Sequence, residues 1–398
     1  MQIVLTHNAY GKFSGEEAAV ENLKDLLKSR RQQVCTFERS SEEIDDMPGG
    51  KLRAFLGGIY NPFSRKQFVR FLKAHKPDLV HIHNLYPLIS PSILPECKRQ
   101  SVPVVMTVHN FRLICPNGLF FTRGRLCHRC VGGREYHCIL NNCENSVFKS
   151  TGYALRTFVA RMFRLYKKNV DYYICISSFQ KRVLVREGFP SDRIRVIPNP
   201  ISITDADQSR ALNESPSVDC GYVAYAGRIE SGKGIFTLLE AASALPDVSF
   251  KIAGDCTNAG AILQKSPENV EFVGFLKGEA LSRFYRNCSM FVFPTCFYEG
   301  FPTVLVEAMQ HKKAIVCSNI GGLPDIVETG RNGLLFETGN GEDLADKIQM
   351  LRDDPALRDQ LGQGGFDKVH NAYHPDTIYR QLMEVYQAVV AESGKMTG

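Results

Sequence analysis

Two residue clusters in the second half of the chain have the types and spacing for chemistry on a phosphate ester. The first is GRIESGKG, Gly227 to Gly234, between the apolar run Tyr222 to Ala226 and a helix-period segment that begins near Ile235. A strand that ends in a glycine-bearing turn with two cations, Arg228 and Lys233, and then opens a helix gathers free N–H groups and positive charge in one place. That combination suits a diphosphate, and the cations would offset charge developing on it as a leaving group. The second cluster is YEGFPTVLVEAM, Tyr298 to Met309, directly after the apolar run Met290 to Pro294. Glu299 falls in the turn and Glu307 inside the next helix, eight residues on, near two helical turns. The spacing predicts two carboxylates along one wall, and carboxylates accept hydrogen bonds from vicinal hydroxyls such as those of ribose or a hexose. The plain alternatives are a solvated turn for the cations and a helix-dipole contact for Glu307.

The first half carries weaker signals. In HNAYGKFSGEEAAVENL, His7 to Leu23, the small residues Ser14 and Gly15 sit where a strand turns into a helix and permit close approach of a phosphate or an acceptor. TVHNFRLICPNG, Thr107 to Gly118, ends another strand and places His109 at its tip. Five of the thirteen cysteines (Cys115, Cys127, Cys130, Cys138 and Cys143) crowd into one stretch. Cys127 and Cys130 form a CxxC knuckle with Cys115 and Cys143 to either side. Thiolates at those four positions could hold one structural zinc ion, and reduced, packed thiols are the alternative.

The elements that must position these residues follow a βα rhythm, the pattern of parallel sheets covered by helices. Strands are predicted near 2–6, 33–37, 79–83, 103–108, 171–176 and 194–197, with helices near 15–29, 64–75, 91–100, 151–169 and 178–187. The turn-rich, acidic segment Pro198 to Asp219 reads as a linker. A second series follows, with strands near 222–227, 248–253, 269–273, 290–294, 314–317 and 333–336 and a last helix over 376–392. Two doubly wound α/β domains facing across a cleft are expected, with ligands at the carboxyl ends of the strands.

Together the Gly-Arg…Lys-Gly turn and the Glu-x7-Glu element resemble the retaining glycosyltransferases of family 4, which share the GT-B fold of two Rossmann-like domains. The resemblance covers nearly the whole chain. It implies an N-terminal acceptor-side domain over 1–198 with a cysteine-rich insertion near 111–150, a nucleotide-sugar domain over 199–375, and a helix over 376–398 that crosses back. It implies that Gly227, Arg228 and Lys233 meet the donor diphosphate, that Glu299 approaches the transferred sugar and Glu307 the ribose, and that amides of Gly300, Phe301 and Thr303 surround sugar and phosphates. His109 matches the family's active-site histidine. Ser14-Gly15 stands where a Gly-Gly pair is commoner. HNFRLICPNGLFF, LCHRC and VHIHNLYPLISPSI look like the subgroup that builds bacterial exopolysaccharide, capsule or lipopolysaccharide. The implied partners are a UDP- or GDP-sugar donor and a lipid-linked or glycan acceptor, with sugar transfer to a hydroxyl. No Asp-x-Asp motif stands at a strand end, so catalysis without metal or cofactor is expected.

Charge adds a further expectation. Before and including Pro198 there are 31 Lys+Arg against 16 Asp+Glu, and after it 17 against 26, so the halves carry +15 and −9. A basic half seeks an anionic partner. With MQIVLTHN opening into an apolar run and no stretch apolar enough to span a bilayer, a cytoplasmic enzyme held peripherally on an anionic membrane is expected. The segment Leu155 to Lys168 is predicted to turn Leu155, Phe158, Val159, Met162, Phe163 and Tyr166 to the core and its basic residues outward. A nucleic-acid-binding role is disfavoured because the basic residues are dispersed over many elements and no recognised module surrounds the CxxC. A non-catalytic sugar-nucleotide binder is disfavoured by the intact Arg228, Lys233, Glu299 and Glu307.

Overall fold

The computed structural model describes residues 1–11, 14–201, 221–257 and 260–396. The chain divides into two compact units, one of Met1–Arg123, Cys127–Ile201 and Pro375–Gly398, the other of Gly124–Leu126 and Ser202–His374. Most of the predicted linker, 202–219, lies outside the described residues.

The first unit is built on six parallel strands in the order β2-β1-β3-β4-β7-β8. They are β1 (Gln2–Ala9), β2 (Gln33–Ser40), β3 (Leu79–Ile82), β4 (Val104–Val108), β7 (Tyr172–Cys175) and β8 (Ile194–Val196), while β5 (Phe121–Thr122) and β6 (Arg125–Leu126) form a separate short hairpin. Residues 3–8 of β1 and all of β3 and β4 are buried, as a central parallel strand covered on both faces requires. The helices are α1 (Gly15–Ser29), α2 (Glu43–Asp46), α3 (Gly50–Ile59), α4 (Pro62–His75), α5 (Leu94–Arg99), α6 (Tyr136–Leu140), α7 (Val147–Met162), α8 (Leu165–Asn169) and α9 (Ser178–Arg186). Ser14 caps α1 by accepting the Glu17 N–H, and Glu16 and Glu17 in the first turn complement the helix dipole. The last helix, α17 (Pro375–Met396), buries Ile378, Leu382, Val385, Tyr386 and Val389 in one core cluster with β1 and α1.

The second unit has six parallel strands in the order β11-β10-β9-β12-β13-β14. These are β9 (Tyr222–Ala226), β10 (Ser249–Ala253), β11 (Val270–Gly274), β12 (Cys288–Phe293), β13 (Ala314–Ser318) and β14 (Gly333–Phe336). Its helices are α10 (Ile235–Ala244), α11 (Gly260–Leu263), α12 (Glu279–Asn287), α13 (Thr303–Gln310), α14 (Leu323–Ile326), α15 (Gly341–Asp353) and α16 (Pro355–Ala372). The chain winds outward from β9 to β11, then returns to start again at β12 beside β9. That reversal leaves a crevice at the carboxyl ends of β9 and β12, where doubly wound sheets bind ligands. Each unit is thus a Rossmann-like layer of parallel sheet between helices. Among the described residues no helix is long and apolar enough to cross a membrane.

Two expectations need correction. The predicted helix over 151–169 breaks at Arg164, whose left-handed φ of 54° separates α7 from α8. Its expected orientation holds only in part: Tyr166 is buried and Arg161, Arg164, Lys167 and Lys168 are exposed as expected, but Leu155, Phe158, Met162 and Phe163 are exposed and Arg156 is buried, its guanidinium lying over the rings of Tyr86 and Tyr153. Aromatic faces offset the cost of burying that cation, which helical periodicity alone cannot anticipate. In addition, α3 is a helix where none was expected, in a segment whose Gly49, Gly50, Gly57 and Gly58 lower helix propensity. In the fold Gly50 starts the helix and Gly57 and Gly58 are buried contact positions within it.

Candidate functional site

In the second unit the loop after β9 folds back on itself: Gly227 N–H donates to Ala253 O at 3.0 Å, Lys233 N–H to Glu230 O at 3.0 Å and Gly234 N–H to Ser231 O at 3.0 Å. Gly234 has φ +76°, and a Cβ there would lie 1.7 Å from the Pro294 carbonyl oxygen, so only glycine lets this loop seat against the end of β12. Cys296 N–H then donates to Gly232 O at 2.9 Å. The result is that Lys233 Nζ lies 2.6 Å from Glu299 Oε1, with the two side chains only 13% and 14% exposed. The ammonium also lies 4.9 Å from the Phe297 ring centroid, and the Thr295 hydroxyl donates to the same Glu299 oxygen at 3.2 Å. Arg228 differs. Its side chain is 66% exposed and pairs with Glu230 at 3.2 Å.

The helix α13 begins at Thr303 with Pro302 as N-cap and no side-chain cap, so its first-turn amides keep hydrogen-bonding capacity for a ligand. Gly300 lies just upstream, and Phe301 packs edge-on against Tyr373 at 5.1 Å. Glu307, one turn inside α13, accepts a hydrogen bond from the Tyr285 hydroxyl at 2.9 Å, and burial pushes its carboxyl above the usual carboxylate range. Because Glu299 precedes the helix, the two-turn offset argument does not describe the pair. Glu299 is fixed by Lys233 and Glu307 by Tyr285. Sequence reasoning named both acids but not their fixing partners Tyr285 and Thr295, since a tyrosine in α12 and a threonine after β12 carry no motif of their own.

In the first unit the carboxyl ends of β1, β3 and β4 bring together a row of histidines. His83 Nδ1 and His109 Nε2 are 2.8 Å apart, so one donates to the other, and their rings stack at 5.1 Å. His81 bonds through Nδ1 to the Tyr386 hydroxyl at 2.6 Å and through Nε2 to the Thr107 hydroxyl at 2.7 Å. Burial lowers all four: His7 to about 4, His81 to about 3, His83 well below its ordinary value and His109 in the same direction. They are neutral imidazoles at pH 7. Beside them Glu16 accepts from the Tyr10 hydroxyl at 2.7 Å and from Asn110 Nδ2 at 3.2 Å, and Arg112 donates to the Tyr10 hydroxyl at 2.7 Å. Both ring nitrogens of His7, Glu16 Oε1, His109 Nδ1 and Arg112 Nε are buried without a hydrogen-bond partner. Ser14 and Gly15, at the start of the same α1 that carries Glu16, have no steric cover at the Gly15 Cβ position. Buried polar atoms left open in one place are what a polyhydroxyl ligand would satisfy. Of this row only His109 was singled out from the sequence, although His81 and His83, two apart on one strand end, share a face.

The cysteine segment packs as a small core. Cys130 and Cys138 are buried with Ala154 of α7, and Cys143 packs against them. The thiols of Cys138 and Cys143 are hydrogen-bonded, which holds Cys143 down near 6 and pushes Cys138 up. Cys115 donates to Asn117 Oδ1 at 3.0 Å, and Asn141 Nδ2 approaches the Cys127 sulfur at 3.8 Å. Among the described residues no three His, Cys, Asp or Glu side chains converge as metal ligands. Zinc on Cys115, Cys127, Cys130 and Cys143 therefore stands as a proposal, and Cys138, outside that set, is the sulfur that packs with Cys130 and Cys143.

Known proteins resemble the chain in sequence and in fold. Residues 13–205 match the family model described as Glycosyltransferase Family 4, and residues 211–368 match Glycosyl transferases group 1. An uncharacterised glycosyltransferase of Methanocaldococcus jannaschii is 25% identical over 375 residues, covering 92% of each chain. A capsular polysaccharide biosynthesis glycosyltransferase of Staphylococcus aureus is 30% identical over 182 residues, 43% of this chain and 47% of that one. Among solved structures, Anabaena HepE in complex with UDP superposes with TM-score 0.66 at 18% identity over 98% of this chain and 100% of that one. Sucrose-phosphate synthase from Thermosynechococcus elongatus superposes with TM-score 0.72 at 20% identity, again over 98% and 100%. With two parallel-sheet Rossmann-like units and the two models spanning most of its length, the chain belongs to the family 4 (group 1) glycosyltransferases of GT-B fold.

Proposed function

We propose that the protein transfers a sugar from a UDP- or GDP-sugar to a hydroxyl of a lipid-linked or glycan acceptor, with retention and without a metal, in cell-surface polysaccharide synthesis. The observation that carries this reading is the Lys233–Glu299 pair, 2.6 Å apart at the β9/β12 crevice beside the uncapped start of α13. In transfer, the bond from the anomeric carbon to the diphosphate oxygen breaks and a bond to the acceptor oxygen forms. The acceptor's hydroxyl proton ends on the departing diphosphate or on solvent. Lys233 and the α13 amides take up the charge that grows on the leaving oxygen. Arg228, held only by Glu230 on the exposed loop, can swing onto the same phosphates. Glu307 in its buried place takes the ribose hydroxyls, and Glu299, once the diphosphate shares the Lys233 charge, is released towards the sugar. His109 and its neighbours, all neutral, offer donors and acceptors to a sugar or acceptor hydroxyl. The UDP bound by HepE and the capsule role named for the S. aureus relative support this choice of donor and acceptor class. The reading includes a cytoplasmic site of action, peripheral on the membrane; the excess of Lys and Arg in the first half supports the membrane part of it.

The test is a panel of nucleotide sugars screened by thermal shift, followed by product analysis with the stabilising donor. A stabilising UDP- or GDP-sugar whose sugar moves to an acceptor hydroxyl with its anomeric configuration kept is expected. Stabilisation by none of them would overturn the reading.

A further inference from the structure

We propose that the exposed apolar stripe of α7, joined by α3, inserts into the interfacial region of an anionic lipid bilayer. The inference deepens the proposal that the acceptor is membrane-associated and rests on it. Along α7 the side chains of Val147, Phe148, Thr151, Leu155, Phe158 and Met162 fall within an arc of about 120°. The flanks of that arc are occupied. On one side Gly152 fits against the Phe55 ring of α3, which stacks on Phe148 at 4.7 Å; on the other, Ala154 packs on Cys130 and Cys138. The helix is therefore held in the fold by its small residues while its large apolar ones face outward. Leu155 is 39% exposed, Phe158 40% and Met162 52%, and α3 adds Leu52 at 56% and Leu56 at 55%. A contiguous apolar surface of this kind on a folded unit marks an interaction face.

Its surroundings select the partner. Residues 51–170 hold 20 Lys+Arg and 4 Asp+Glu. Of these four acids, Asp78 accepts the Gln2 N–H, Glu96 and Glu135 are ion-paired with arginines, and Glu144 is partly buried. The helix α2 and its N-cap, which precede α3, add Glu43, paired with Arg39, and the exposed Glu42, Asp45 and Asp46, so the basic excess holds over the region but not at the start of α3. Lys51 and Arg53 on α3, Lys149 on α7, and Arg164, Lys167 and Lys168 beyond its end are exposed. Near that end a cavity of about 300 Å³ is lined by Arg112, Arg161, Arg164 and Lys167 together with Glu135 and Glu187. A second copy of this face would set like charges against each other. Apolar side chains set among a net excess of cations instead match an anionic headgroup layer over acyl chains.

The chain has no tryptophan, so Phe158→Trp creates a single indole reporter. It is mixed with phosphatidylcholine vesicles, with or without phosphatidylglycerol, carrying acyl-chain bromine. With phosphatidylglycerol present, a blue-shifted emission quenched by the bromolipid is expected, while Phe275→Trp, at a still more exposed phenylalanine of the second unit, stays unquenched. Leu155→Asp/Phe158→Asp should lower vesicle binding about tenfold or more, because charge replaces buried apolar area. Melting temperature and nucleoside diphosphate binding, read on the same variants, should be unchanged, which separates failure here from failure of the donor reading. Unquenched emission at position 158, quenching equal at position 275, or a dimer in sedimentation that the Asp variant dissolves would overturn the proposal.

Discussion

At the scale of single residues, the crevice at the ends of β9 and β12, the proposed donor site, holds Lys233 against an internal counter-ion. Lys233 cannot give its full charge to a diphosphate while Glu299 keeps it, so removing the carboxylate's charge should help the nucleotide and hurt the sugar step. Glu299→Gln is expected to bind UDP several-fold more tightly in calorimetry while turnover falls; weaker UDP binding would contradict the competition. Lys233→Ala should cut turnover on the order of 10²–10³-fold, the scale seen when one preorganised group is removed from a developing charge, with the fold intact. Glu307 supplies a pH dependence. Burial raises its folded pKa, so on acidification it takes up a proton earlier than an ordinary carboxylate, and in the proposed ribose contact the protonated carboxyl is a weaker acceptor. Nucleoside diphosphate affinity should fall as pH drops through that raised value, and Glu307→Gln should be weak and flat over the same range. In stability the sign is opposite: the folded state binds the proton more readily than the unfolded one, so the Glu307 contribution improves as pH falls through its folded pKa.

At the scale of elements, much was legible because strands and turns announce themselves. The predicted strand at 333–336 and helix at 15–29 match β14 and α1, since period and caps agree there. What stayed hidden depended on distant partners. Arg156 is buried with its guanidinium over Tyr86 and Tyr153, and α3 starts at Gly50, where a Cβ would lie 1.8 Å from the Ile44 carbonyl oxygen of α2. The site residues named from motifs sit on loops at strand ends or, like Glu307, Thr303 and Gly15, in the helices that follow, but Tyr285, His7 and Cys138 reach theirs only through tertiary packing. The cysteine segment carries an element-scale prediction. Burial raises Cys115 to about 11 and Cys130 to about 12, so zinc would have to displace protons from reluctant thiols and its retention should fall with pH. Elemental analysis of protein purified without chelator is expected to find about one zinc per chain at neutral pH; its absence would leave the thiols as a reduced, packed cluster.

At the scale of the whole molecule, the two units should answer acid differently. His7, His81, His83 and His109 all belong to the first unit, and each has a folded pKa held by burial below its unfolded value near 6.5. For a lowered histidine the folded state binds fewer protons than the unfolded one, so stability is whole above about pH 6.5 and is lost as pH falls towards the folded values, about 4 for His7 and 3 for His81. The loss is of order 1 kcal/mol per histidine for each pH unit crossed, less where the titrations are coupled. The second unit has no such cluster among its described residues, and its Glu307 shifts in the opposite sense. Calorimetry between pH 7.5 and 5 should therefore resolve two transitions that separate on acidification, the first unit melting earlier, with UDP raising only the other. His81→Asn, which keeps a polar group between Thr107 and Tyr386 but cannot be protonated near neutrality, should start less stable at pH 7.5 and lose less on going to pH 5. If both transitions shift together with pH, or if UDP raises the acid-sensitive one, the buried histidine row is not what sets the acid limit of the fold.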